Sequence, residues 1–312
     1  MGKVEITRDV CPVFGKRVKL TNGVVELAAS LEFGPRVLSF SLCGKENMLY
    51  NDKDKKTLGD KFDIYGGDQI RLCGGHRIWI SPEVMPRCYH PDNKPVECVE
   101  IEDGLELRGA VEEKNNIQKI MVVKMDENSP RVSLRHIIRN TGLWDVEFAP
   151  WCITMMAPGG KTVIPMSTEK TGALPNRYLT LWDYSDMSDP RVNWGKEFIT
   201  IKQDESMANP FKVGLSNDKG WAAYFNRGQV FLKFFEPDSV LGNYPDNGCT
   251  YESYTNDFML EMETLGEIML VSPDEEAEIT EEWEIYEAPE APSDDGEAIK
   301  AALKNKIDFN QT

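Results

Sequence analysis

The chain has 312 residues, of which 41% are hydrophobic and 28% are charged, and its formal net charge is −17 at pH 7. This composition is ordinary for a globular protein and supplies enough apolar residues for a substantial core. A negative field repels phosphate backbones and anionic lipid, so nucleic acid and membrane surfaces are poor candidates for partners. The sequence has no apolar run of about twenty residues, and it therefore predicts no transmembrane helix.

The amino terminus and the cysteines bear on location and cofactors. Residues 1–9 contain no apolar segment of the secretory type, and Ile6 stands where a myristoylation motif requires serine or threonine. The seven cysteines include no Cys-x-x-Cys pair, so reduced thiols in a cytoplasmic protein fit best and a zinc site has no local support. Asp183, Asp186 and Asp189 do not match the spacing of a calcium loop. We expect a cytoplasmic protein without a metal or another cofactor.

Alternation of apolar and polar residues dominates the first half of the chain. Residues 16–21 and 24–31 flank Asn22-Gly23, the strongest short hairpin signal in the sequence. The same alternation predicts further strands at 36–42, 105–111, 118–124 and 131–139. Strands at such short spacing favour a sandwich or barrel over alternating strands and helices.

The second half repeats the alternation after a long interruption. Residues 161–204 are rich in Pro, Trp and Asp, and we expect them to form an irregular loop over one end of the sheets. Alternation then predicts strands at 221–225, 230–235, 250–254, 258–263, 267–270 and 279–286.

One helix is predicted, near the carboxyl terminus. It covers 295–306, with Ser293 or Asp294 as its cap. Its apolar stripe consists of Ile299, Leu303 and Ile307. We therefore predict one all-β domain at 1–290, a large two-sheet antiparallel sandwich, followed by this short helix in 291–312, packed on the domain or trailing from it.

Residues 71–83 read Arg-Leu-Cys-Gly-Gly-His-Arg-Ile-Trp-Ile-Ser-Pro-Glu and concentrate chemically special side chains. Gly74 and Gly75 allow a positive φ or a close approach of the backbone to a ligand. His76 is one of only three histidines in the chain, which makes a functional role for it more plausible. The segment therefore predicts a binding or catalytic loop.

The same segment offers groups that suit a sugar. Arg71 and Arg77 carry fixed forks of donors that match hydroxyls, carboxylates or phosphates. Trp79 offers a flat apolar face on which a sugar ring can stack. The alternative is a tight turn whose arginines pair with local acids and whose tryptophan belongs to the core.

Three stretches together resemble the galactose mutarotase-like proteins. The opening strands match at 34–49 (Gly-Pro-Arg-Val-Leu-Ser-Phe, then Gly-Lys-Glu-Asn-Met-Leu), the central segment at 140–160, and the closing strands at 260–283. One family within this superfamily also shares Gly-Gly-His-Arg-x-Trp, here at 74–79, and Tyr-Pro-Asp-Asn-Gly, here at 244–248. The resemblance covers residues 15–290 and implies a twisted two-sheet supersandwich whose concave face binds a sugar.

The resemblance also implies an aldose epimerase of the mutarotase type, which opens and recloses a pyranose at its anomeric carbon. In that reaction a carboxylate takes the proton of the anomeric hydroxyl while a histidine protonates the ring oxygen. The carboxylate matches Glu263 or Glu261, which are two apart in a strand and share a face, and Glu263 is favoured. Trp151 stands close to where the histidine is expected and is a candidate for stacking on the sugar. His76 is then the candidate for the acid.

Further binding residues are expected in the second half. Asp246 and Asn247, together with Glu252, are candidates for contacts with sugar hydroxyls, although a turn followed by an exposed strand edge would explain them equally well. Trp182 and Trp194 are candidates, with Trp151, for an aromatic wall. His136 lies on the apolar face of its predicted strand and is expected to be a core histidine.

Three classes of function stay open, each with a sugar or sugar derivative as its partner. An epimerase needs His76 and a glutamate about one sugar ring apart in a single pocket. A non-catalytic sugar-binding or sensing protein needs aromatic stacking but no acid–base pair, and the missing histidine after Pro150 favours it. A glycan lyase or hydrolase needs an open groove, with the Trp-rich loop as its walls. The oligomeric state is left open.

Overall fold

The computed structural model describes residues 3–54, 58–237 and 242–309. Most regular structure in this part of the chain is antiparallel β-sheet. The strands, in chain order, are β1 (Glu5–Cys11), β2 (Gly15–Thr21), β3 (Val25–Ser30), β4 (Arg36–Leu42), β5 (Leu58–Lys61), β6 (Gln69–Arg71), β7 (His76–Ser81), β8 (Glu97–Ile101), β9 (Gly104–Arg108), β10 (Ile117–Met125), β11 (Val132–Asn140), β12 (Val146–Met156), β13 (Lys161–Pro165), β14 (Leu179–Leu181), β15 (Val192–Trp194), β16 (Phe198–Lys202), β17 (Phe211–Leu215), β18 (Trp221–Asn226), β19 (Gln229–Phe235), β20 (Tyr251–Thr255), β21 (Leu260–Leu265), β22 (Met269–Val271) and β23 (Glu276–Glu287).

The strands form two large sheets and one small hairpin. The first sheet has the order β1-β2-β3-β4-β7-β12-β21-β20-β17-β14, with β22 pairing beside β12. The second sheet has the order β15-β16-β13-β18-β19-β23-β11-β10-β9-β8, and β5 pairs only with β6. The two large sheets pack on each other, so each has an inner face in the core and an outer face. The predicted all-β, two-sheet antiparallel sandwich is confirmed.

The core lies between the two sheets and takes side chains from both. Val18, Leu27 and Phe40 of the first sheet are fully buried in it, as are Leu134 and Trp283 of the second. Burying one such side chain stabilises the fold by about 1.5–3 kcal/mol. Apolar contacts between the inner faces therefore hold the two sheets together. The outer faces are not part of this core.

The strands predicted from alternation are present, most of them with ends within two residues of the predicted ones. The predicted strand at 36–42 coincides with β4. The Asn22-Gly23 hairpin joins β2 to β3, and Oδ1 of Asn22 accepts hydrogen bonds from the main-chain N–H groups of Val24 and Val25, both at 2.9 Å.

The predicted irregular loop at 161–204 is wrong, because this segment contains four strands, β13 to β16. β13 pairs with β16 in the second sheet, while β14 forms one edge of the first. Ile164 and Ile199 of the paired strands are fully buried in the core. Each of these strands has only three to five residues, which is too short for alternation to be recognised.

One short helix, α1 (Gly296–Leu303), packs on the outer face of the second sheet. The predicted caps are wrong: Oδ2 of Asp295 caps α1 by accepting from the N–H of Ala298 at 3.0 Å. Asp294 instead accepts from the hydroxyl of Thr200 at 2.7 Å and so ties the helix entrance to the sheet. The predicted apolar stripe of Ile299, Leu303 and Ile307 is buried.

Two short 3₁₀ turns, Asp63–Tyr65 and Arg87–Tyr89, lie in loops of the first half. The segment Pro245–Gly248 is a single turn in which Asp246 and Asn247 have positive φ. None of the helices in the described ranges is both long and apolar enough to cross a membrane.

Candidate functional site

One row of directly opposed residues crosses four strands in the middle of the first sheet. Arg77 on β7 lies opposite Ile153 on β12, which lies opposite Glu263 on β21. On the far side of Glu263, Glu252 of β20 continues the row. Directly opposed residues of neighbouring strands point to the same face of a sheet, so these four side chains share one surface.

A second row, two residues along each strand, completes this surface. Glu261 of β21 lies opposite Tyr254 of β20, which lies opposite Lys212 of β17. Met262, between the two glutamates, packs in the core between the sheets. Glu261 and Glu263 therefore both face outwards, on the side of the first sheet away from the second.

A cleft of about 450 Å³ lies on this outer face. Its volume falls in the range of small-molecule sites, about 300–1,000 Å³. Four charged residues line it: Arg77, Glu83, Lys212 and Glu261. Most of the remaining wall is aromatic and is formed by Trp79, Tyr89, Trp151, Trp182, Tyr184, Tyr254 and Phe258.

Trp79 and Trp151 form the wall over β7 and β12. They are directly opposed in the sheet, and their rings meet edge to face with centroids 5.8 Å apart. The guanidinium of Arg77 lies 4.6 Å from the centre of the Trp79 ring. The indole N–H of Trp151 donates to Oε2 of Glu263 at 2.8 Å. Both tryptophans are thus held in fixed orientations by neighbours on the same face.

Lys212 is held between two carboxyl groups and two aromatic rings. Its Nζ lies 2.7 Å from Oε2 of Glu252 and 3.0 Å from Oε2 of Glu263. It also lies 4.8 Å from the ring centre of Trp151 and 4.5 Å from that of Trp182. Burial alone would lower the pKa of Lys212, but the two carboxylates outweigh burial and raise it well above its ordinary value. Lys212 is therefore an ammonium ion.

Glu261 is the buried carboxyl group that lines the cleft, with 8% of its surface exposed, whereas Glu83 is exposed. Its Oε1 accepts a hydrogen bond from Nη2 of Arg77 at 3.3 Å. Burial raises the pKa of Glu261 to about 7; the charge of Glu263 acts in the same direction, while Arg77 and Lys212 oppose it. A carboxyl group that titrates near neutral pH is suited to acid–base catalysis.

Several buried polar atoms beside the cleft have no hydrogen-bond partner within the described ranges. They are Nε and Nη1 of Arg77, Oε1 of Glu263, and both carboxyl oxygens of Glu252, which has the ion pair with Lys212 but no hydrogen bond. Burial also lowers the pKa of Arg77, although its guanidinium remains charged. A buried donor or acceptor without a partner is costly, so these atoms indicate places where a ligand or water completes the site.

The cleft brings together several of the residues predicted from the sequence. Arg77, Trp79, Trp151 and Glu261 line it, while Glu263 and Glu252 lie beneath the surface and hold Lys212. The expectation that Glu261 and Glu263 share a face agrees with the structure. Glu263 is fully buried, so of the two it is Glu261 that a ligand can reach.

His76 is not brought to the cleft. It precedes Arg77 in β7 and so points to the opposite face, into the core between the sheets. Its Nδ1 lies 2.8 Å from Oγ1 of Thr154, and its Nε2 lies 2.6 Å from Nε2 of His136. Burial, followed by the charge of His136, lowers the pKa of His76 well below its ordinary value. The structure thus gives His76 no path to a ligand beside Glu261, which removes it as the candidate acid.

Three other predicted binding residues also lie away from the cleft. Arg71 is exposed on β6 and lines a separate depression together with Cys73. Asp246 and Asn247 shape the turn Pro245–Gly248 through their positive φ angles of 51° and 66°. Asp246 and Asn247 therefore determine the conformation of the turn, and neither residue lines the cleft.

Gly74 and Gly75 have positive φ angles of 81° and 73°, as the sequence predicts. The close approach that they permit is to neighbouring main chain rather than to a ligand. A Cβ atom on Gly75 would lie 2.1 Å from the carbonyl oxygen of Val37 on β4. The buried Arg36 donates to the carbonyl oxygen of Gly74 at 2.9 Å. Gly74 and Gly75 therefore determine where β7 begins.

Lys212 is the site residue that the sequence reasoning missed, because β17 was not predicted. The available signal was a lysine flanked by apolar residues in Phe-Lys-Val-Gly-Leu. Gly214 leaves room for this arrangement, since a Cβ atom there would lie 2.5 Å from Sγ of Cys249 and 3.3 Å from Cγ of Glu252. Of the tryptophans considered for a wall, Trp194 packs on the core instead.

A buried polar cluster lies directly behind the cleft, between the sheets. The ligand atoms of His76, His136 and Glu281 all fall within 4.8 Å of one another, which is compatible with a metal site. However, the two Nε2 atoms already face each other, and Nζ of Lys233 lies 2.9 Å from Oε1 of Glu281. Lys233 therefore supplies the positive charge that a metal would bring, and this set does not fit a metal.

The sandwich has the fold of the galactose mutarotase-like proteins. A galactose mutarotase-like protein from Clostridium acetobutylicum matches with a TM-score of 0.53 and 10% identity, over 92% of this chain and 99% of that one. One from Lactobacillus casei matches with a TM-score of 0.53 and 8% identity, over 86% and 100%. These similarities establish the fold, and a fold alone does not define an activity.

A TPR-domain containing protein from Parabacteroides distasonis is also similar, with a TM-score of 0.58 and 12% identity. The match covers 88% of this chain but spans only 48% of that protein. No protein-family model matches the sequence, and no curated protein matches it.

Proposed function

We propose that this protein is an aldose epimerase of the mutarotase type, which binds a sugar in the outer-face cleft and interconverts its anomers. The observation that carries this proposal is the position of Glu261, a carboxyl group with a pKa of about 7, in the lining of an aromatic-walled cleft. Anomer exchange requires a base at the anomeric hydroxyl, and a group that titrates near the working pH performs this task best.

The cleft has the groups that sugar binding requires. Trp79 and Trp151 present apolar ring surface, which suits the C–H faces of a pyranose. The free Nε and Nη1 of Arg77 can donate to sugar hydroxyls beside Glu261. Apolar walls with a few convergent polar groups are the common pattern of small-molecule sites, and this pattern supports a monosaccharide as the ligand.

A second candidate is a non-catalytic sugar-binding protein on the same scaffold. Trp151 stands close to where the resemblance leads one to expect a histidine, and His76 points into the core. The aromatic wall would serve such a protein equally well. The two candidates differ in whether bound sugar exchanges its anomers faster than free sugar does.

Saturation-transfer exchange NMR on a panel of aldoses and aldose 6-phosphates tests the proposal. We expect the wild type to accelerate anomer exchange of at least one sugar, with a rate that falls as pH decreases through about 7 because Glu261 becomes protonated. Glu261→Gln removes the base, so the rate falls by about 100-fold or more while binding persists. The exposed Glu113→Gln serves as the matched control and leaves the rate unchanged.

Each contrary outcome is informative. Sugars that bind without faster exchange would rule out the epimerase and establish the binding protein. Full exchange activity in Glu261→Gln would contradict the role of Glu261. A panel in which no sugar binds would remove both candidates for these ligands.

A further inference from the structure

We propose that Lys212 is the general acid of this cleft: its ammonium group protonates the ring oxygen when the sugar ring opens and recovers the proton when the ring closes. The inference rests on the proposed function and supplies the proton donor that His76 cannot provide. It is carried by the position of Lys212 across β20 from Glu261, by the contacts of Lys212 and by the balance of the reaction.

Lys212 and Glu261 reach the cleft from two different strands of the same sheet. Both line the cleft, and Tyr254 of β20 lies directly opposite each of them in the register. Neighbouring strands are about 4.8 Å apart, so the main chains of β17 and β21 are separated by about 10 Å across β20. The two side chains can therefore approach a single ring from two sides.

Two carboxyl groups and two aromatic rings surround Nζ of Lys212. An ammonium group has three N–H donors. Nζ donates to Oε2 of Glu263 at 3.0 Å and forms an ion pair with Oε2 of Glu252, 2.7 Å away. The rings of Trp151 and Trp182 hold the charge through cation–π contacts but accept no conventional hydrogen bond. Lys212 also lines the cleft, so a ligand there can meet its ammonium group.

Other proton donors in the cleft are less suitable. Tyr184 and Tyr254 are neutral phenols whose pKa values burial raises, and unlike an ammonium ion they bring no positive charge to the ring oxygen as its bond breaks. The guanidinium of Arg77 does not release its proton under physiological conditions. Lys212 is thus the remaining cation that can both hold a proton at neutral pH and transfer it.

The reaction balances with these two groups alone. In ring opening, Glu261 takes the proton from the anomeric O–H, the C1–O5 bond breaks as the C1 carbonyl forms, and O5 takes a proton from Lys212. The products are the open-chain aldehyde, a protonated Glu261 and a neutral Lys212 amine. Closure on the other face of the carbonyl returns the O5 proton to Lys212, while Glu261 protonates the carbonyl oxygen. Both groups regain their starting states without an oxidant or co-reactant.

The pH dependence separates a lysine acid from a histidine acid. The ionisable side chains that face Lys212 are Glu252, Glu261, Glu263, Tyr184 and Tyr254. The carboxylates keep the proton on Lys212, so the wild-type rate reaches its plateau about one pH unit above the pKa of Glu261 and does not fall up to pH 9, after subtraction of spontaneous exchange. An acid limb with its midpoint near pH 7, with no matching basic limb, is the expected profile.

The test combines this profile with Lys212→Met, Lys212→Arg and the exposed control Lys114→Met. We measure exchange at saturating sugar by NMR and sugar affinity by calorimetry, using a sugar whose exchange the wild type accelerates. We expect Lys212→Met to lower the saturated rate by about 100-fold or more. Lys212→Arg keeps the charge but cannot give up a proton, so it does not restore the rate. Lys114→Met behaves as wild type.

Three results would overturn the role of Lys212 while leaving the epimerase intact. They are a full rate in Lys212→Met, a restored rate in Lys212→Arg, and a wild-type rate that falls above pH 7 as a histidine acid would require. The wild-type profile needs no variant, so a Lys212→Met protein that fails to fold does not prevent the test. If the wild type accelerates exchange of no sugar, the proposed function itself fails, and this inference fails with it.

Discussion

The indole N–H of Trp151 and the carboxyl group of Glu263 are joined by a 2.8 Å hydrogen bond, although 112 residues separate them in the chain. The oxygen that accepts this bond, Oε2, also accepts from Lys212 at 3.0 Å. Oε2 of Glu263 thus accepts hydrogen bonds from both Trp151 and Lys212. These hydrogen bonds and its full burial explain why Glu263 is not available to a ligand, whereas Glu261 is.

Trp151→Phe tests this link between the wall and the charged cluster. The substitution keeps an aromatic ring but removes a hydrogen bond to a buried carboxyl group, so we expect a loss of about 1.5–3 kcal/mol in the free energy of unfolding. Under the proposed function, sugar affinity should fall as well, because the ring at position 151 loses its fixed orientation. Urea unfolding and calorimetry measure the two effects.

Trp194→Phe is the control for that variant, because Trp194 donates to the main-chain oxygen of Met187 outside the cleft, at 3.0 Å. We expect it to leave sugar affinity unchanged. Equal loss of affinity in both variants would contradict the specific role of Trp151.

Gly75→Ala is expected to disrupt the start of β7. The new Cβ would lie 2.1 Å from the carbonyl oxygen of Val37, and the φ of 73° is unfavourable for alanine. Gly44→Ala has the same backbone strain, with a φ of 75°, but open space around the new atom. Strain alone costs about 1–2 kcal/mol. Chemical denaturation should show a clearly larger loss for Gly75→Ala, and equal losses would argue against the steric explanation.

Lys233→Met is expected to be strongly destabilising. Lys233 is fully buried and donates to Oε1 of Glu281 and to the carbonyl oxygen of Met262, at 2.9 and 3.0 Å. Its removal leaves the charge of Glu281 uncompensated, at a cost of about 3–5 kcal/mol. The double variant Lys233→Met/Glu281→Gln removes the orphaned charge and should recover part of the loss in thermal unfolding. No recovery would show that the cost lies in packing.

Acid is expected to destabilise the protein through its buried histidines. Burial lowers the pKa of His136 to about 4, whereas an unfolded histidine titrates near 6.5. Between these values the unfolded chain binds more protons than the folded one, so this contribution to stability decreases as pH falls from about 6.5 to 4. His136→Gln should show a smaller loss of unfolding free energy between pH 7 and 5 than the wild type. An unchanged slope would mean that other groups cause the effect.

The sequence predicted the fold well because alternation is repeated in many strands. Residues 131–139 show a polar and an apolar face, and β11 buries the predicted one, including His136. The strands at 161–204 were missed because three to five residues carry too few alternations. Which distant strands pair with each other could not be predicted, because local alternation of polar and apolar residues carries no information about pairing.

The site was predicted only in part, for a similar reason. His76 and Arg77 looked like one functional group because they are adjacent in sequence, but adjacent residues of a strand point to opposite faces. Recognition of β7 as a strand would have assigned Arg77 and Trp79 to the cleft and His76 to the other side. Lys212 joins Glu263 only through the register of β17, β20 and β21, which the sequence does not reveal.

The alternation of these central strands ties the cleft floor to the interior. Arg77 follows His76, Glu263 precedes Thr264, and Met262, whose carbonyl oxygen accepts from Lys233, lies between the two glutamates. A substitution in the floor therefore disturbs the buried network as well. Trp182 and Tyr184 also line the cleft but lie in a loop, so their neighbours in the chain are not tied to the buried network by strand alternation. Ligand preference can thus diverge at the rim, while the floor stays fixed by the requirements of folding.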